Sequence, residues 1–468
     1  MNYKESKVMK IVVLNGSPKG HVSVTMQYVN LIQKKFPHHE LRIFNVASQI
    51  KKIEKDETAF REIMDEVRSA GGVLWAFPLY VFLVSSQYKR FIELLWERNG
   101  ADAFRDKYAA TLSTSIHFFD HTAHNYIRAI CDDLDMRFAG AFSAEMHDLL
   151  KEKERERLVR FAETFFQSIE TNLTTLKAFR LLTFEKFDYT PGSNEDRIKT
   201  NKKVVILTDC TDFQSNLGRM IERFKNCFSN EIEVISLYDI DIKGGCLGCI
   251  QCGYDYTCTY TGKDEFIEFY DTKLKPADML IFAGTIQDRY LSSRWKLFFD
   301  RGFYNNHTPS LIGKQIGFIV SGPLSQLPNL RQILEAYVEW QQANLVDFVT
   351  DDYGNSPQID ASLQSFAKRL TSFSEMDYVK PKTFLGVGGM KIFRDDVWGK
   401  LRFPFQADHR FYKKHGLYDF PQRDYKTRIM VAILMLLTKI PKIRKEIYRK
   451  RMKEEMIKPL QRIVQRVG

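Results

Sequence analysis

Short, unbroken apolar runs alternate with amphipathic stretches over most of the chain. In the first half, Lys10–Asn15 (KIVVLN), Leu41–Val46, Val73–Pro78, Tyr108–Thr114 and Arg137–Ser143 have the length and composition of buried strands. Between them, Val24–Phe36, Gln87–Arg98 and His121–Leu134 carry apolar residues at helical spacing. The second half repeats the scheme with strand-like runs at Val204–Asp209, Ile232–Asp239, Met279–Gly284, Gln315–Gly322 and Leu345–Asp351. Strands that are apolar throughout and separated by helices predict parallel sheets covered on both faces.

The repeat extends to residue identity. Ser85-Ser86-Gln87-Tyr88-Lys89-Arg90-Phe91 matches Ser292-Ser293-Arg294-Trp295-Lys296-Leu297-Phe298 at an offset of 207, whereas Leu14 aligns with Leu207 at an offset of 193. The second copy therefore holds 14 extra residues between these points, and a run of four cysteines lies among them. The pattern predicts α/β units over 9–175 and 201–375, a linker over 176–200 punctuated by Pro191-Gly192-Ser193, and an extension over 376–468.

Composition narrows the setting. Seven cysteines in 468 residues, with Cys131, Cys210 and Cys227 standing singly, make a poor disulfide framework and point to the reducing cytoplasm. The stretch MNYKESKVMK has no apolar core of signal-peptide length. The net charge of +11 belongs mainly to a tail, since Lys439–Gly468 contains 11 Lys/Arg against 3 Glu. No nucleic-acid-binding module accompanies that charge. Gly386–Gly389 (GVGG) reads as a loop, and Phe393–Pro421 mixes aromatics and charges with little period. Nine apolar residues, Ile429–Leu437, precede a basic helix-like stretch, Lys442–Arg466. This tail reads as a helix packing its apolar turn on the body with a solvated cationic face. The alternatives are an interfacial anchor at the inner membrane face, or a dock for an acidic electron carrier such as ferredoxin.

Four motifs carry chemistry. Cys246, Cys249, Cys252 and Cys258 form C-x2-C-x2-C-x5-C. Four soft thiolates suit an iron–sulfur cluster or zinc, with unligated redox thiols as the third reading. Three cysteines two residues apart fit a cubane loop better than the paired cysteines of a zinc ribbon. The turn after the first strand, Asn15-Gly16-Ser17-Pro18-Lys19-Gly20, leads through Ser23 and Thr25 into a helix, and suits one anion or an ordinary N-cap. Pro78-Leu79-Tyr80 ends the third strand, where a ring could rest or simply pack at the rim. Ser113-Thr114-Ser115 with His117, His121 and His124 ends the fourth. Three histidines invite a metal reading, but a loop closing over a bound ring is the better one, with Asp120 or Thr122 as N-cap.

Together GSPK…SVT, FPLY…VSSQYK and the STS loop resemble the flavodoxin-like NADPH-dependent FMN reductase superfamily, and the cysteine loop resembles its iron–sulfur flavoprotein branch. The resemblance covers about 9–171 and 202–373. It implies two tandem flavodoxin-like, doubly wound, five-stranded parallel sheets followed by a basic helical tail. It also implies a flavin-dependent oxidoreductase. Ser17, Pro18, Lys19, Ser23 and Thr25 would hold the FMN phosphate. Pro78, Leu79 and Tyr80 would flank the ring, with Ser113, Thr114, Ser115 and His117 at its other edge. A [4Fe–4S] cluster on the four cysteines would exchange electrons with that FMN, and NAD(P)H or ferredoxin would be the donor. A cluster-free FMN or quinone reductase and a flavin-binding redox sensor are the alternatives. In the resembled branch, a cluster on one subunit approaches a partner's flavin; here the two units would form a pseudo-dimer, with a homodimer as a further arrangement. The second copy departs from the pattern, with Asp209-Cys210-Thr211-Asp212 in place of the phosphate turn and Thr285-Ile286-Gln287 in place of Pro78-Leu79-Tyr80, and reads as a degenerate flavin site.

Overall fold

The computed structural model describes residues 8–184, 187–193 and 196–467. Most of the stretch read for a signal peptide, four residues of the expected linker and the final glycine lie outside them. The first unit runs β1 (Lys10–Asn15), α1 (Val24–Lys35), β2 (Glu40–Phe44), α2 (Ile50–Lys55), α3 (Glu57–Ser69), β3 (Gly72–Pro78), α4 (Ser86–Glu97), β4 (Tyr108–Ser115), α5 (Asp120–Asp133), β5 (Arg137–Glu145) and α6 (Glu152–Glu170). The second runs β6 (Val204–Thr208), α7 (Asn216–Lys225), β7 (Glu233–Ser236), α8 (Phe266–Phe269), β8 (Met279–Thr285), α9 (Ser293–Gly302), β9 (Gln315–Ser321), α10 (Pro328–Trp340), β10 (Asn344–Thr350) and α11 (Ser356–Glu375). After these come α12 (Phe384–Trp398), α13 (Gln406–Lys414), α14 (Tyr425–Leu437), α15 (Pro441–Glu446) and α16 (Met452–Val467).

Both sheets are wholly parallel, ordered β2-β1-β3-β4-β5 and β7-β6-β8-β9-β10. This is the doubly wound order of flavodoxin-like folds. The unbroken apolar strands follow from burial on both faces, with Val12, Val13, Trp75 and Ala110 in the first sheet and Ile206, Ile281 and Ile319 in the second fully covered. α1 and α6 close one face of the first sheet through Met26, Val29, Phe165 and Phe166; α7 and α11 do the same for the second through Met220, Phe224 and Phe366.

The units meet through α4 and α9 in a pseudo-two-fold arrangement. Ser86 N–H donates to Asp300 at 2.7 Å, and Ser293 N–H donates to Glu93 at 2.6 Å. Lys89 pairs with Glu93 at 2.8 Å, as Lys296 pairs with Asp300. Lys89 also reaches Asp288 at 2.9 Å, and Lys296 donates to the Tyr80 carbonyl at 3.0 Å. All four charged groups of these intrahelical pairs are buried, so each cation is needed by the carboxylate beside it.

The chain divides into a body ending at His409 and a segment from Arg410 onward. Residues 386–389, expected as a loop, are inside α12. Their glycines serve close packing: a Cβ on Gly386 would lie 2.9 Å from the Glu339 Cβ, and one on Gly389 2.3 Å from the Phe118 ring. Neither Asp120 nor Thr122 caps α5. Phe119 holds the N-cap position in a left-handed conformation, and the Thr122 hydroxyl donates to the Phe82 and Phe119 carbonyls.

Candidate functional site

Loops from the carboxyl ends of β1, β3 and β4 converge where an open α/β sheet exposes its binding edge. With residues of the cysteine loop and of 299–308, 337–341 and 393–405, they enclose a cavity of about 360 Å³. One end is polar. Asn15 shapes it by accepting the Ser17 N–H at 3.0 Å while its amide donates to the Gly20 carbonyl at 3.1 Å and to Asn45 at 2.7 Å. Ser17 is buried and accepts the Lys19 N–H at 3.2 Å. Ser23 caps α1 by accepting the Met26 N–H, so the positive end of that helix opens on the cavity beside Lys19.

The next wall is a tight turn. Tyr80 and Leu83 exchange backbone hydrogen bonds of 2.7 and 2.9 Å, with Val81 at φ 30° and Phe82 at φ 64° between them. A β-branched residue at positive φ is strained, and such strain is held in place where a turn must present particular atoms. Here it presents Tyr80 and Phe82 to the cavity.

The expected contact residues divide. Ser17, Lys19, Ser23, Pro78, Leu79, Tyr80, Thr114 and Ser115 line the cavity. Thr25 lies beneath it, sharing a 2.6 Å hydrogen bond with Thr114. Ser113 is buried against His124 and Ser143, at 2.8 and 3.3 Å. Pro18 lines a neighbouring cleft of about 950 Å³. His117 pairs with Asp120 at 2.9 Å and does not line the cavity. The three histidines do not converge: His121 bonds Gln332, and burial drives the pKa of His124 down to about 4.

The cysteine loop covers this cavity from the second unit. Arg301 of α9, buried, forms a bidentate pair with Asp264 at 2.6 and 2.9 Å and donates to the Gly244 carbonyl at 3.0 Å, pinning both ends of the loop. Gln87 donates to the Cys246 carbonyl at 3.1 Å, and Asn306 to that of Cys252 at 2.8 Å. Gly248 has φ 62°, and a Cβ there would lie 2.2 Å from Tyr80 Oη and 3.1 Å from Lys19 Cε. Only glycine lets the loop backbone come so near. Cys246, Gly248 and Ile250 thus line the same cavity as Lys19 and Tyr80.

Desolvation pushes the thiols of Cys246 and Cys252 up to about 12, and the neighbouring cysteines add to the rise. At neutral pH both are therefore thiols. Among the described residues, no group of three or more His, Cys, Asp or Glu side chains could hold a metal ion. The four cysteines as arranged do not form a ready cage for zinc or for an iron–sulfur cluster.

The remaining wall was not foreseen. Phe118, Trp340, Phe393 and Phe405 supply aromatic surface. His307 stacks on Phe393 with ring centroids 4.3 Å apart, and its Nδ1 lies 2.7 Å from the buried Asp408 carboxylate. In the second unit, Asp209 occupies the place of Gly16. It is buried, accepts from Ser292, and burial raises its pKa to about 6.

A cavity with a cation and a helix amino end on one side and aromatic surface on the other fits FMN, which joins an anionic phosphate to a flat ring. Residues 9–147 match the family model described as NADPH-dependent FMN reductase. Among curated proteins no relative matches. Among solved structures, an NADH:FMN oxidoreductase (EMOB, apo form) aligns with 37% of this chain and 97% of its own at 18% identity and a TM-score of 0.31. FerB, a flavoenzyme NAD(P)H:(acceptor) oxidoreductase from Paracoccus denitrificans, aligns with 35% and 98% at 18% identity and 0.29. An oxidoreductase from Corynebacterium diphtheriae aligns with 36% and 99% at 16% identity and 0.30. The match over residues 9–147 makes the first unit similar to the NADPH-dependent FMN reductase family, whose members are flavin-dependent oxidoreductases.

Proposed function

We propose that the chain holds FMN in the cavity of its first unit and oxidises NAD(P)H, passing the electrons to a quinone or similar acceptor. The observation that carries this reading is the joining of an anion-binding turn and an aromatic enclosure in one cavity at the switch edge of the sheet. FMN, when bound, accepts a hydride and can release electrons one or two at a time. The protein's own part is placement. Ser17, Lys19 and the start of α1 hold the phosphate, Pro78–Tyr80 and Thr114–Ser115 border the ring, and Cys246–Ile250 with Phe393 and Phe405 exclude water. His307, oriented by Asp408, can hold a proton where an acceptor would need one. Recombinant protein should purify yellow and consume NADPH with a quinone; colourless protein that neither binds added FMN nor oxidises NAD(P)H would remove the reading.

A finer reading is favoured by one observation: Cys246 shares the cavity with Lys19 and Tyr80. It puts a second redox group, an iron–sulfur cluster on Cys246, Cys249, Cys252 and Cys258, over the flavin, with ferredoxin as the partner. Binding there would require the four thiols to lose their protons and draw together. Iron and sulfide analysis of anaerobically purified protein decides it; yellow protein without iron leaves the cluster-free reductase.

A further inference from the structure

The segment after His409 carries a helix that water does not suit. In α14, nine consecutive apolar residues, Ile429–Leu437, are all exposed, those other than Ala432 from 41% at Leu437 to 65% at Met435. Successive residues turn by roughly 100°, so the run circles the helix more than twice and leaves no polar face. A protein groove takes up a stripe of apolar residues; a helix apolar all round belongs in a medium apolar on every side. The nine residues rise about 14 Å, roughly half of the ~30 Å hydrocarbon thickness of a bilayer. No helix of the described residues is long and apolar enough to cross a membrane. The length therefore matches one leaflet.

Charge supplies an independent argument. From Tyr425 to Lys445 there are 6 Lys/Arg and no Asp or Glu, with Lys426 and Arg428 before the apolar run and Lys439, Lys442, Arg444 and Lys445 after it. In α16, Met456, Ile457, Leu460, Ile463 and Val464 fall within one arc at helical spacing and are exposed. Lys458, Arg462 and Arg466 fall across from it. Apolar surface flanked by cations on both sides complements a bilayer whose headgroups are anionic.

We propose that this segment anchors the protein on an anionic lipid surface, α14 and the apolar arc of α16 entering one leaflet and the cations resting among the headgroups. The inference is independent of the flavin chemistry. Its test is flotation of the full chain with phosphatidylcholine vesicles, with and without phosphatidylserine. The chain should float with the phosphatidylserine vesicles and be released by salt. Ile433→Asp with Leu436→Asp should lower partitioning at least about tenfold. Lys442→Glu with Arg444→Glu and Lys445→Glu should abolish the preference for phosphatidylserine. Unchanged NADPH oxidation and circular dichroism would show that both variants fold. Failure to float, or equal flotation of the variants, overturns the proposal. So does lipid-free self-association that Ile433→Asp with Leu436→Asp abolishes in a chain that ignores vesicles, since the surface would then belong to a second copy.

Discussion

The approach of Gly248 to Tyr80 can be tested by adding one methyl group. In Gly248→Ala the new Cβ would lie 2.2 Å from Tyr80 Oη, at a backbone φ of 62°. Two costs are separable. A non-glycine residue in the left-handed region costs about 1–2 kcal/mol. Driving the Tyr80 Oη aside by roughly 1 Å is an overpacking cost of about 1–3 kcal/mol. Loop and Tyr80 share the cavity wall, so the expected readout is FMN binding weakened about 10- to 100-fold, with a lower thermal midpoint. Tyr80→Phe removes the clashing atom and leaves the ring carbon that bore it 3.3 Å from the new methyl, a tight but tolerable contact. The double variant should therefore recover the overpacking part and keep the backbone part, which a double-mutant cycle on FMN fluorescence quenching resolves. Wild-type FMN affinity in Gly248→Ala would refute the reasoning, as would a double variant no better than the single one.

Lys89→Met should destabilise the body by about 3–5 kcal/mol in chemical denaturation, because Glu93 and Asp288 lose their shared buried cation; a loss below about 1 kcal/mol would contradict that account. His124, with a folded pKa of about 4 set by burial, makes stability fall as pH drops from 6.5 toward 4, by about 3 kcal/mol. Asp209 acts in the opposite sense: its raised folded pKa of about 6 gives stability that is full below 3.8 and lost as pH rises through 6, again by about 3 kcal/mol. Asp209→Asn should therefore expose the His124 slope in urea unfolding between pH 4 and 6, and an unaltered pH profile would exclude the buried carboxyl as its source. His307→Asn should slow quinone reduction about a hundredfold while leaving flavin reduction by NADPH unchanged in stopped-flow traces, whereas equal loss in both half-reactions would make the His307–Asp408 pair merely structural.

The ten strands were legible because burial on both faces leaves continuous apolar runs, a signal that needs no partner. Their ends were less so. β7 spans Glu233–Ser236, shorter than the run Ile232–Asp239, because after Leu237 the chain turns back, with the Asp239 N–H on the Ser236 carbonyl. The glycines at 386–389 misled because glycine signals a loop and a close helix contact with the same letter. The cavity divides along the same line. Its polar end and tight turn are local motifs within a few residues of β1 and β3, so their residues could be named. Its aromatic wall draws on Phe118, Trp340, Phe393 and Phe405, and His307 and Asp408 are 101 positions apart, so only tertiary packing joins them and no spacing rule reaches them.

The offset between the two copies explains what the structure does with the cysteine loop. At the α4–α9 seam the copies share a common set of contacts: Ser86 on Asp300 and Ser293 on Glu93, with the matching pairs Lys89–Glu93 and Lys296–Asp300. Symmetry ends one residue later. Arg301, which pins Gly244 and Asp264, corresponds at the offset of 207 to Leu94, a core residue with no loop to hold. On the other side, Gly16 packs against the Tyr88 ring, where a Cβ would lie 2.4 Å from it, whereas its counterpart Asp209 buries a carboxyl. The first copy thus contributes Ser17, Lys19 and Tyr80 to the cavity, and the second contributes the loop at Cys246, Gly248 and Ile250 that covers it. The seam that holds them together sets the cover over the turn, since Lys296 bonds the carbonyl of the same Tyr80 whose hydroxyl meets Gly248. The cover of the first copy's cavity is thus supplied from within the same chain.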